Sequence, residues 1–312
     1  HLAVAELLGN PLMREEIMAA LHEVRDMERL INRIVYKNAN CPDLLSLGES
    51  LRQLPILMNI LQGASSKLLS SCAARLDTLD DVCKIIDDNI NSNAPASLRN
   101  GDLIKRGANE ELDRIYNLVQ NGKSVMLEMI EKEKEKTGIK IMKLGYNKVF
   151  GYYMEVSNSY KELVPDYFIR KQTLTNGERY VTPDLKELEE EILVSGEKLL
   201  DMEYELFCQV RERVAEAFQR VLKSAEIVAL VDMLCSFAAA AERYSYVMPS
   251  VNMSDKIIIK DGRHPVVEKL IRGSGFIAND TTLDNLENQV LIITGPNMAG
   301  KSTYMRQTAL IV

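Results

Sequence analysis

A chain of 312 residues, 46% of them apolar, is long enough to bury more than one core, which excludes a disordered tail and suggests about two domains. The net charge of −7, from 38 Lys and Arg against 45 Asp and Glu, excludes a protein that coats nucleic acid along its whole length, so any DNA contact must be local. Cys41, Cys72, Cys83, Cys208 and Cys235 show no metal-like pairing and read as reduced packing residues; with no apolar run near the ~20 residues of a bilayer span and no signal peptide, a cytoplasmic protein is expected.

The chain begins, over 1–9, within an apolar helix-like pattern and stops, over 309–312, within another, so both ends are expected to be cuts in a longer protein. Asn10 is an N-cap candidate and Pro11 suits a first helical position. Ile17, Leu21, Val24, Leu30, Ile31 and Ile34 then form one stripe that predicts a helix. Further helices are predicted over 43–54, 56–61, 66–76 and 79–90, with Pro42, Pro55 and Gly63 as breaks. Residues up to about 90 read as an all-helical core, and 91–107 as a connecting loop.

Leu112, Ile115, Val119, Gly122, Met126 and Met129 keep a three-four spacing, which predicts a long helix over 110–136 with one narrow seam. A second seam runs through Leu185, Leu188, Ile192, Ser195, Leu199, Met202 and Leu206, then slips to Val210, Val214 and Ala217, a stutter that predicts a change of packing partner. If unbroken from 183 to 246, that helix would be about 90 Å long at about 1.5 Å per residue. Between the two seams, strands are predicted at 139–144, 149–156, 167–174 and 180–182, with turns at Gly145-Tyr-Asn147 and Asn176-Gly177. This is a small sheet at the tip of a helical hairpin. Further on, 256–260 reads as a strand, 290–294 as a buried strand, and a helix starts near Lys301.

Strand, then Gly295-Pro-Asn-Met-Ala-Gly300-Lys301-Ser302-Thr303, then helix is the context of a Walker A phosphate-binding loop. Gly295 and Gly300 free the backbone to turn its N–H groups onto phosphate oxygens, and the helix N-terminus adds partial positive charge. In that reading Lys301 reaches the β- and γ-phosphates of ATP, Ser302 ligates Mg²⁺ and Asn297 donates to the γ-phosphate. Asp80-Asp81 and Asp87-Asp88 read as solvated helix surface, because neighbouring helical residues point apart. No His-x-x-His or Glu-x-x-His spacing predicts a catalytic metal, and His264 before Pro265 reads as structural. Over 138–182, seven Lys and Arg against four acids leave +3, inverting the sign of the chain. That balance suits contact with a phosphate backbone, and equally an ordinary surface.

Gly145-Tyr-Asn-Lys-Val-Phe-Gly-Tyr-Tyr153, Arg170-Lys-Gln-Thr-Leu174, Glu178-Arg-Tyr180, Asp261-Gly-Arg-His-Pro265 and the loop from Gly295 to Thr303 with Tyr304-Met-Arg-Gln307 resemble the MutS family of DNA mismatch-repair ATPases. The resemblance covers essentially the whole chain. It implies a mainly α fold with small β modules: a helical core over 1–108, lever helices over 109–136 and 184–249, a β-rich clamp over 137–183, and the truncated start of an α/β P-loop ATPase domain over 250–312. Phe276, with Ile277 beside it, resembles the family position that stacks on adenine. The Pro296, Met298, Ala299 and Thr303 positions join the nucleotide loop by the same resemblance.

The resemblance also implies partners: double-stranded DNA, a second copy of the full-length protein, and a MutL-type repair partner, in a bacterial, nucleoid-associated setting. For the DNA backbone the candidates are Asn147, Lys148, Arg170, Lys171, Asn176 and Arg179. The family's mismatch-reading domain, Walker B acids and carboxy-terminal dimer fastening are not among the 312 residues, so ATP turnover by this chain alone is not expected. A MutS relative acting as a non-repair scaffold on branched or recombining DNA is the alternative. A chromosome-organising ATPase with coiled-coil arms fits less well, because its phosphate loop would precede the coil.

Overall fold

The computed structural model describes residues 1–147, 149–271 and 275–312, with all of their side chains except that of Lys123. The chain forms two compact units, His1–Val247 and Met248–Val312, and is mostly helical with small antiparallel sheets.

In the first unit, α1 (Leu2–Gly9) gives way to α2 (Pro11–His22) at Asn10, whose side-chain oxygen accepts the Met13 N–H at 3.2 Å. The stripe expected to form one helix is two, because α3 (Met27–Val35) starts afresh at Asp26. The Asp26 carboxylate accepts the Arg29 N–H at 2.9 Å, offering the backbone a cap in place of continuation. Helix α4 (Cys41–Gln62) corrects the expectation at both prolines. Pro42 lies in the first turn, where it forfeits no bond, behind a capping box between Asn40 and Asp43. Pro55 sits inside the helix; Leu51, Leu54, Leu57 and Leu61 are buried on either side of it, and that packing offsets one missing hydrogen bond. Gly63 does end the helix.

Helices α5 (Lys67–Arg75) and α6 (Asp80–Asn89) complete the predicted core set. The loop that follows is held by backbone bonds between Asn91 and Leu103 and between Lys105 and Asn89.

Helix α7 (Glu110–Thr137) is capped by Asn109 and stops at Gly138, which is left-handed at φ +73°. Its seam buries Leu112, Ile115, Gly122, Met126 and Ile130, and the predicted Met129 packs half-buried against the same cluster. The partner helix α8 (Pro183–Ala215) is capped by Thr182. A Cβ on Gly122 would lie 2.5 Å from Ile192 Cδ1, so Gly122 is where α7 admits a side chain of α8.

The long second helix is not unbroken. It ends at Ala215, and α9 (Phe218–Tyr244) restarts after Glu216 and Ala217 and packs on α1, α2, α3 and α5. The change of partner comes earlier than the stutter at 206–210: Ile192 packs in the tip cluster, whereas Leu199, Met202 and Leu206 already pack against the helical core that buries Phe207, Val210 and Val214. By length and hydropathy α9 could cross a bilayer, which corrects the expectation of no such run. Its Val221, Ile227, Val231, Leu234, Cys235 and Ala238 are buried in the same core.

From α9, Arg220 grips Asp77, just ahead of α6, and Asp81, in its first turn, at 2.8 Å each, which holds both carboxyls below the usual aspartate range. Carboxyls depressed in the folded state stabilise it above their unfolded value, and that stability is lost as pH falls through the folded one. Acid titration of thermal unfolding below about pH 4 is therefore expected to be shallower in Arg220→Met than in the parent, and equal slopes would contradict the assignment.

The tip sheet comprises β1 (Met142–Asn147), β2 (Gly151–Ser157), β3 (Ile169–Thr173) and β4 (Gly177–Val181) in the order β1-β2-β4-β3, antiparallel throughout. Gly145 does not turn: it pairs with Tyr153 inside the ladder, and a Cβ there would lie 2.4 Å from that ring. The turn instead follows Asn147. Met142, Met154, Val156 and Tyr180 form the inner face, packed with Met126, Ile130 and Leu185 from the paired helices. A short 3-10 segment, Asn158–Leu163, was not foreseen.

The second unit has β5 (Ile257–Gly262) antiparallel to β6 (Asn279–Leu283), the short α10 (Val267–Leu270) and α11 (Lys301–Ile311). The buried strand expected at 290–294 is not formed: Val290 and Ile292 are exposed and the segment is irregular. A strand of that apolar character needs neighbours to pair with, and β5 and β6 pair only with each other among the described residues.

Candidate functional site

The phosphate-loop candidate is assembled within the second unit. Helix α11 is pinned to β6 by hydroxyls: Thr281 donates to Tyr304 Oη at 2.8 Å, and Tyr304 donates to the Asp280 carbonyl at 3.1 Å. Gln307 is fully buried behind this contact, and a Cβ on Gly262 would lie 2.8 Å from its Nε2. The start of α11 is thereby fixed. The loop reaching it turns at Gly295 (φ +155°), Met298 (φ +66°) and Gly300 (φ +86°). Gly300 stands at the N-cap of α11 and offers its first amides no side-chain acceptor.

Lys301 folds over its own loop, donating to the carbonyls of Gly295 and Pro296. Ala299, Gly300, Lys301 and Thr303 line a cavity of about 870 Å³ together with Phe276 and Ile277, so six predicted nucleotide residues share one space. Pro296, Asn297, Met298 and Ser302 are exposed outside its lining. His264 is buried, and its Nδ1 accepts the Val266 and Val267 N–H groups, as a structural histidine should. The chemistry of these residues suits a nucleoside triphosphate: an ammonium, a helix N-terminus without a capping side chain, and an aromatic ring in the same cavity lining.

The tip candidates are divided. Asn147 pairs with Gly151 at one end of β2 and Ser157 pairs with Gly177 at the other, so Asn147 and Asn176 are about 20 Å apart along a strand rising about 3.3 Å per residue. Lys148 lies outside the described residues. Arg170, Lys171, Asn176 and Arg179 are grouped on the β3–β4 hairpin. Lys171 stands at a bulge in edge strand β3, exposed, and its ammonium makes no hydrogen bond or ion pair among the described residues.

Arg179, by contrast, is committed internally. It bonds Glu155 at 3.2 Å and Gln172 at 2.8 Å and lies 4.4 Å over the Tyr153 ring. Arg170 is 3.5 Å from Glu178, which also takes Lys161 at 2.9 Å. The Tyr180 hydroxyl and the Lys161 ammonium hold the Glu178 carboxyl below the usual glutamate range, and burial together with Glu178 pushes the Tyr180 hydroxyl up to about 12. Lys161 was missed by sequence reasoning because its link to Arg170 runs through a residue of a different strand.

Two family models match the chain: one described as MutS family domain IV over residues 107–198, which holds the tip sheet, and one described as MutS domain V over 291–312. The DNA mismatch repair protein MutS of Caldicellulosiruptor bescii is 52% identical over 310 residues, 99% of this chain and 36% of the relative. The chain belongs to the MutS family. The MutS proteins of Acetivibrio thermocellus, 49% identical, and of Clostridium botulinum strain Langeland, 46% identical, each match 99% of this chain as well. The chain spans about a third of the length of the curated MutS relatives it matches.

Among the described residues no group of three or more His, Cys, Asp or Glu could hold a metal ion. The five cysteines form no disulfide, and burial pushes the Cys41 thiol up to about 12 and those of Cys83 and Cys235 up to about 11.

Proposed function

We propose that the chain is part of a bacterial DNA mismatch-repair protein that binds double-stranded DNA under the control of ATP. The observation that carries this reading is 52% identity, across 99% of the chain, to a protein named DNA mismatch repair protein MutS. In this reading residues 137–183 are a clamp that holds the DNA backbone, residues 109–136 and 184–249 are levers, and 250–312 open an ATPase domain.

Gly295 to Thr303 would hold the phosphates of ATP, with Lys301 leaving the loop carbonyls for the phosphate oxygens and Ser302 taking Mg²⁺. Phe276 and Ile277 would flank the base. The metal would neutralise phosphate charge when bound. Glu287 is the last acidic residue of the chain, so residues 288–312 offer no carboxylate to place an attacking water. These 312 residues alone are proposed to bind nucleotide without hydrolysing it. A second copy and a MutL-type partner complete the reading for the full-length protein, in the bacterial cytoplasm.

A DNA-holding tip reads charge rather than sequence. Reversing Lys148 and Lys171 together to glutamate in the full-length protein is expected to weaken binding to matched and mismatched duplexes alike. The slope of log affinity against log salt should fall by about one to two units. An unchanged slope would remove these lysines from the DNA contact.

A further inference from the structure

The β1–β2 hairpin is joined to α8 by one buried carboxylate. Glu189, two turns into α8, is 6% exposed. Its Oε1 accepts the Tyr152 N–H at 2.9 Å, and Lys186 Nζ stands 3.7 Å from Oε2. A Cβ on Gly151 would lie 2.1 and 2.6 Å from the two carboxylate oxygens, and Gly151 holds φ +78°. The position is closed to a side chain both by space and by backbone conformation.

The topology explains why a carboxylate is needed there. Strand β2 pairs with β4 from Ser157 up to Met154, opposite Tyr180. Two residues further on, opposite Tyr152, β4 has run out: it ends at Val181, Thr182 caps α8 and the chain turns into helix. The Tyr152 amide would face an interior without its strand partner, a costly state for a backbone donor. Glu189 occupies that place in the ladder, and because it belongs to α8, the hairpin end is held by the helix rather than by the sheet.

We propose that Glu189 is the positioning residue through which α8 carries the β1–β2 hairpin, so that the presentation of Asn147 to a DNA backbone follows the helix. This rests on the reading of the tip as a DNA-holding module. Glu189 itself touches no DNA in this account; it acts through Gly151 and Tyr152.

The test uses the full-length protein with Glu189→Ala and Glu189→Gln, read by duplex affinity and by hydrogen exchange at the Tyr152 amide. In Glu189→Ala the Tyr152 amide is expected to exchange about tenfold faster, as for the loss of one buried charge-assisted bond, and duplex affinity is expected to fall severalfold. Glu189→Gln keeps an acceptor and should restore both. Simple electrostatics predicts the opposite: either variant removes a negative charge and would tighten DNA binding. Tighter binding in both variants, or unchanged Tyr152 exchange in Glu189→Ala, overturns the proposal, as does faster exchange with unaltered affinity. Lys171→Glu serves as the control: if it too leaves affinity unaltered, the DNA-holding reading of the tip has failed, and Tyr152 exchange alone then decides whether Glu189 seats the hairpin.

Discussion

Replacing Lys301 with alanine is expected to weaken binding of a fluorescent ATP analogue about tenfold to a hundredfold, the worth of a charge-assisted contact to phosphate. The loop should survive the change. Its turns are set by positive φ at Gly295, Met298 and Gly300, and the start of α11 is held by Tyr304 and Thr281, none of which involves the ammonium. What Lys301 contributes to the free loop is a pair of bonds to the Gly295 and Pro296 carbonyls, and those carbonyls are solvent-accessible. Equal analogue affinity in parent and Lys301→Ala would remove the loop from nucleotide binding.

Gly122→Leu should have the largest effect on stability. The Ile192 side chain fills the space a Cβ would take, with Cδ1 at 2.5 Å and Cγ1 at 2.9 Å. Overpacking of this kind costs about 1–3 kcal/mol, against a gain of about 1 kcal/mol from removing a helical glycine. The net expectation is a lower unfolding midpoint, with faster hydrogen exchange along α7 and the upper half of α8. Adding Ile192→Ala should recover part of the loss, because it reopens the space. A double variant no more stable than Gly122→Leu alone would show that Gly122 is not the crossing point.

These two sites also show which features were legible in the sequence. The Gly122 position stood on the predicted seam, and the periodicity over 112–126 survived as burial, because a two-helix seam is a local property of spacing. The loop from Gly295 to Lys301 was legible because its chemistry is contiguous. Phe276 was placed beside it only by resemblance, and it does line the same cavity.

The misses were non-local. Pro55 reads as a break by itself, and only the leucines buried around it explain why α4 continues. The run 290–294 reads as a buried strand by composition, yet composition does not supply a neighbour to pair with. Asn147 and Asn176 both sat near turn signals, and strand order set them at opposite ends of one sheet. Glu189 offered no signal at all: its role depends on β4 ending one pair short of Tyr152.

In the proposed reading the phosphate loop governs how the clamp holds DNA. The most direct measurement is the dissociation rate of a mismatched duplex from the full-length protein after ATP is added, compared between the parent and Lys301→Ala. ATP-triggered release is expected in the parent, and none above the nucleotide-free rate in Lys301→Ala. Release of the variant at the parent's rate would contradict that reading.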